Sequence, residues 1–153
     1  MLRISKRQSV NLSLAISVIF FVLCIAGAFA LPFVLRLYVE MRNMSHISTD
    51  EFVYILVVAY LILAVFVLAD VLLFKLLQRV KYGAVFTPKS VALIRGVSWC
   101  CLAASLLFCC VGIFFYICFA IGLAGIFLGL CLRVTKNVIA EATEIKSEND
   151  LTV

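Results

Sequence analysis

Four long apolar stretches separated by short polar links constrain this chain more than any other feature. They run over about 11–35, 52–77, 94–116 and 119–138. At 1.5 Å per residue each covers roughly 30 Å or more, enough to cross the hydrocarbon core of a bilayer. In lipid the backbone polar groups of a lone spanning segment are satisfied only if it is helical. The chain therefore reads as an all-α integral membrane protein with four transmembrane helices in two antiparallel hairpins. The helices are expected over about 11–35, 52–77, 88–116 and 119–146, with 147–153 a short acidic tail. The composition agrees. Of the 153 residues, 66% are hydrophobic, more than a water-soluble domain of this size can hide from solvent. The links leave no room for a second domain.

The formal net charge of +5 raises the question of a nucleic-acid partner, and the placement of the charge answers it. Arg3, Lys6 and Arg7 precede the first stretch. Lys75, Arg79, Lys81, Lys89 and Arg95 surround the middle link. Arg133, Lys136 and Lys146 follow the core of the fourth. Only Arg36 and Arg42 fall in the other links, beside Glu40, Asp50 and Glu51. Basic residues collect on the cytoplasmic side of membrane proteins, so the pattern predicts both termini and the middle link in the cytoplasm. The cationic link is expected to meet the bilayer's anionic headgroups and not nucleic acid. A cleavable signal peptide is the rival reading of the first stretch, because Ala28-Phe29-Ala30 resembles a cleavage site. The apolar run continues past it through Leu35, beyond the length of a signal core.

Few side chains offer chemistry. Six of the seven cysteines lie in the apolar stretches and Cys118 in the uncharged link between the last two, without a C-x-x-C spacing, and they are expected to pack as small hydrophobes. His46 stands alone in a loop, without companions at metal-ligand spacing. Ser17, Ser98 and Ser105 are expected to hydrogen-bond across helices. No helix carries a histidine to serve as a base, and no glycine loop cradles a phosphate. The chain is therefore expected to be no enzyme and to need no cofactor. Gly125 and Gly129 form a small-xxx-small pattern, expected to let another helix of the same bundle approach, with oligomerisation as the alternative. Asp70 is the one acid inside an apolar stretch. Counting from the middle link puts it at the height of Arg95, and an Asp70–Arg95 ion pair is expected, with Arg133 the second choice.

Two segments carry a resemblance. One runs from Lys81 to Arg95 as KYGAVFTPKSVALIR and is followed by Trp99. The other is the ending Lys146 to Val153, KSENDLTV. Together they resemble the Domain of Unknown Function 2975 family of small bacterial membrane proteins, over essentially the whole chain. Pro88 and Ser90 stand where that family commonly has acidic residues or asparagine. The resemblance implies four helices in a plasma membrane and no catalytic site to transfer. It also implies a cytoplasmic partner, a small helix-turn-helix transcription regulator. The residues expected to dock it are Phe86, Thr87 and Arg95, with Glu148, Asp150, Leu151 and Val153 of the tail. The function expected is regulatory or sensory. The alternative is a small transporter or channel subunit with Asp70 in a polar path.

Overall fold

The computed structural model of the chain describes residues 6–41 and 48–151, and the side chains of 8–41 and 48–148. His46, Arg42 and the Asn43-Met44-Ser45 triplet lie outside the described residues. Four helices account for the regular structure: α1 (Lys6–Met41), α2 (Thr49–Lys81), α3 (Pro88–Val111) and α4 (Tyr116–Leu151). All four are long and apolar enough to cross a membrane, so this is a multi-pass membrane protein.

Local chemistry starts two of the helices. The Ser48 hydroxyl accepts a hydrogen bond from the Glu51 N–H at 3.3 Å, and the Glu51 carboxylate accepts from the Ser48 N–H at 2.8 Å. This reciprocal cap satisfies two backbone donors at the start of α2 and begins the helix at Thr49. Thr87 caps α3 through a hydrogen bond from the Ser90 N–H, and Pro88 fills the first helical position, where no N–H is needed. Between them Gly83 turns the chain with φ 76°, a backbone angle that a side chain disfavours.

The second hairpin differs from the sequence expectation. α3 ends at Val111, not near 116, and the chain turns over 112–115. Gly112 is the reason. Its N–H bonds back to Phe108 and Cys109, and a Cβ there would stand 2.9 Å from Cβ of Phe119 and 3.0 Å from its backbone N. Only a residue without a side chain lets α4 fold back this closely. Gly122, expected in the fourth helix, sits in α4 against α3. At the other end α4 stays helical as far as Leu151, so most of the acidic tail is its last turn.

Proline inside α1 breaks no helix. Pro32 has no N–H to give the Ala28 carbonyl, and the Tyr60 hydroxyl of α2 donates to that carbonyl at 3.1 Å.

The helices pack in chain order, α1 on α2, α2 on α3 and α3 on α4. Among the described residues no other pair approaches backbone to backbone. The four-helix bundle is therefore an open row, not a closed square. α1 packs on α2, and two of its residues seven apart, Ser17 and Cys24, are buried. The main apolar cluster joins Ile55, Val58 and Ile62 of α2 to Val111 and Phe115, at the end of the α3–α4 turn. Two ring contacts continue it, Tyr38 edge-on to Phe115 at 5.4 Å and Tyr54 with Phe114 at 6.1 Å.

Contacts between helices put their charges on common levels. Ser17 meets Asp70, a Cβ on Gly96 would touch Leu72, and Arg133 lies over Trp99. At the far end Arg36 and Glu40 stand beside Ser48 and Phe52. Between these levels α2 is uncharged from Phe52 to Ala69, eighteen residues or about 27 Å. The facing parts of α1, α3 and α4 are uncharged as well. The charge-free slab matches a hydrocarbon core. Asp70 lies on its rim, at the end where the basic residues collect.

Candidate functional site

Asp70 is buried in the seam between α1 and α2, with 6% of its surface exposed. The Ser17 hydroxyl donates to its Oδ1 at 2.7 Å. The serine lies on the buried face of α1, about two turns from Cys24. Two grooves open beside the pair. One, about 530 Å3, is walled by Phe20, Phe66, Leu73 and Val97, with Ser13 and Ser17 beside Asp70. The other, about 250 Å3, runs past Phe21 and Phe74 to Lys75 on the opposite side of the seam.

In place of the expected Asp70–Arg95 ion pair, the acid has this serine. α3 turns Gly96 toward Leu72 of α2, and Arg95, one residue and about 100° around the helix, is exposed. Arg133, the second choice, places its guanidinium 4.5 Å from the ring centroid of Trp99, a cation–π contact on the outer side of α3 and α4.

At the basic end the residues expected to dock a partner divide into three kinds. Phe86 is exposed, 46% of its surface being free. It and Pro88 face Thr143, Glu144, Lys146 and Ser147 of α4 across a groove of about 310 Å3. Thr87 is committed to the cap of α3, with its hydroxyl also 2.9 Å from that of Ser90. The tail residues lie elsewhere: Glu148 is exposed in the last turns of α4, and Asp150 and Leu151 extend that helix. The side chains of Asp150 and Leu151, and all of Val153, lie outside the described residues. A second, basic groove of about 550 Å3 lies between α2 and α3, where Lys75, Arg79 and Lys89 surround Gln78 and Tyr82.

Gly125 and Gly129 face α3. A Cβ at Gly125 would collide with Ser105 Oγ, and one at Gly129 would stand 2.9 Å from Leu102. Gly122 approaches still stiffer atoms, the Ser105 carbonyl at 2.9 Å and the Cys109 N at 3.3 Å. Of the three intramembrane serines, Ser17 bonds to another helix and Ser98 does so through the Gly129 carbonyl at 2.9 Å. Ser105 returns its hydroxyl to Cys101 in its own helix. All seven cysteines are free thiols. Among the described residues no three His, Cys, Asp or Glu side chains gather to hold a metal.

A family model described as a protein of unknown function, DUF2975, matches residues 6–153. The chain belongs to that family. No curated protein and no solved structure matches it. The DUF2975 assignment brings no reaction, so the chemistry must be argued from the residues. Sequence reasoning about this DUF2975 chain missed two features of the site: the specific partnership of Ser17 with Asp70, and the Phe20–Phe66 pair beside it, with ring centroids 6.3 Å apart. A signal for the first existed. Ser17 and Cys24 are seven residues apart among much larger neighbours, which marks the stripe of α1 that can approach another helix.

Proposed function

We propose that this is a non-enzymatic protein of a bacterial plasma membrane, with both termini in the cytoplasm, that regulates a cytoplasmic partner. The helix-turn-helix regulator implied by the family resemblance is the partner this reading favours. The observation that carries it is the reach of α4. Beyond the charge-free slab that helix continues from Arg133 to Leu151, nineteen residues or about 28 Å. On the way it stands beside the exposed Phe86 and forms a groove with the middle link. A helix that only crossed the bilayer would not need this extension. In this reading the basic groove at Lys75, Arg79 and Lys89 rests on anionic headgroups and holds the hairpin at the membrane surface. The α4 groove then remains open to a protein.

The test is a crosslinking pull-down from native membranes with two versions of the chain, intact and lacking 148–153. The proposal expects a DNA-binding regulator to be recovered with the intact chain and lost with the shortened one. Equal recovery would remove the tail from the mechanism, and no regulator in either case would end the partner reading.

One observation favours a second reading, a small transporter or channel subunit. The Ser17–Asp70 pair is a polar point at the slab's rim with a groove on either side. Ion flux into vesicles containing the purified chain, absent with Asp70→Asn, would select it.

A further inference from the structure

The groove over Asp70 has walls and a floor of opposite character. Its walls are apolar and include the rings of Phe20 and Phe66. Its floor holds a carboxyl group whose residue is more than nine-tenths buried. One oxygen of that carboxyl is taken by Ser17. The other has no hydrogen bond, yet it is not sealed in protein. Every fully buried side-chain oxygen among the described residues has a partner, so this one keeps some open surface. The surface of Asp70 opens on the grooves it lines.

We propose that this groove binds a hydrophobic organic cation, an amine or onium compound dissolved in the bilayer. The inference goes beyond the regulatory reading and does not depend on it. Three features select this chemistry. First, the Asp70 carboxyl has Ser17 as its hydrogen-bond donor and no paired cation among the described residues, and a ligand's positive charge would supply one. Arg95 is exposed, and Arg133 lies over the Trp99 ring. Lys75, five positions along α2, lines the smaller groove together with Asp70 but forms no ion pair with it. Second, aromatic faces attract cations, and two phenyl rings stand in the same wall. Third, the groove's volume of about 530 Å3 lies in the range that accepts a small organic molecule. An anionic or neutral polar ligand would meet the acid without compensation. An ordinary acyl chain would fill the walls and leave the acid unpaired.

The experiment is equilibrium dialysis of tritiated tetraphenylphosphonium against the purified full-length chain in uncharged dodecyl maltoside micelles. Protein-free micelles are subtracted. The expected result is saturable binding of about one cation per chain. Asp70→Asn, which keeps an oxygen for Ser17 but removes the charge, should weaken binding at least about tenfold. Val97→Phe leaves the carboxyl in place and fills the groove, and it should weaken binding as well. Absence of saturable binding to the unaltered chain would overturn the proposal. So would unchanged affinity in a folded Asp70→Asn chain. If that variant fails to fold, retained affinity in Val97→Phe would overturn it. Capture of a regulator in the pull-down is unaffected by either outcome, so the two readings fail separately.

Discussion

A lone acid in an apolar helix can lower its cost through a cation, through hydrogen bonds or by giving up its charge. Ser17 supplies one such hydrogen bond to Asp70. Charged residues at the middle of a spanning helix cost about 2.5–3.5 kcal/mol on insertion scales. The position on the slab's rim reduces that cost, and one hydroxyl can therefore be enough to hold the group. Interhelical hydrogen bonds inside membranes contribute about 0.6 kcal/mol on average and about 1.7 at most. The coupling between Ser17→Ala and Asp70→Ala in a double-mutant cycle, followed by thermal unfolding in detergent, should fall in that range. Strictly additive effects would mean that the contact contributes nothing. The same logic applies at Pro32. Tyr60→Phe should destabilise the chain slightly, by about 0.6 kcal/mol, because the Ala28 carbonyl loses its donor. In a Pro32→Ala background the helix supplies its own N–H to that carbonyl, so the Tyr60→Phe effect should shrink. An undiminished effect would show that the tyrosine acts by packing alone.

Between elements, glycine decides how close two helices come. The contrast is sharpest between Gly122 and Gly27. A Cβ at Gly122 would press on the backbone of Ser105 and Cys109, while at Gly27 the nearest atom is a Leu63 methyl at 3.9 Å. Gly122→Ala should therefore cost about 1–3 kcal/mol by forcing α3 and α4 apart. Gly27→Ala should be neutral or slightly stabilising, since alanine favours the helix. Melting temperatures of the two variants side by side decide this, and equal values would contradict the packing described. Legibility at this scale follows how local the physics is. α3 starts at Pro88 as expected, because a cap is made within four residues, whereas α2 starts at Thr49, three residues before the apolar run expected from 52, where Ser48 and Glu51 cap it. The turn after α3 was misplaced because Phe114 to Phe119 is as apolar as the helices around it. Hydropathy cannot mark a turn there, and Gly112 alone does. Counting residues matches Asp70 with Arg95 in height. Counting gives no information about rotation around the helix, and rotation is what separates them.

For the molecule as a whole, the number of helices and the positions of their charges were open to sequence reasoning. Both depend on length and composition. The open row was not, because no pattern in a single helix states which neighbour its second face will lack. In water, exposed Phe29, Phe33, Ile113 and Phe127 would be a defect. On the outside of a row in lipid they are the surface the solvent requires. The account rests on one orientation: the charge-free slab lies in the bilayer, and its basic end lies in the cytoplasm. Reporter fusions read this directly. Green fluorescent protein after Val153 should fluoresce, and alkaline phosphatase inserted at 45 should be active outside the cytoplasm. A dark C-terminal fusion together with active phosphatase at the C-terminus would contradict the account.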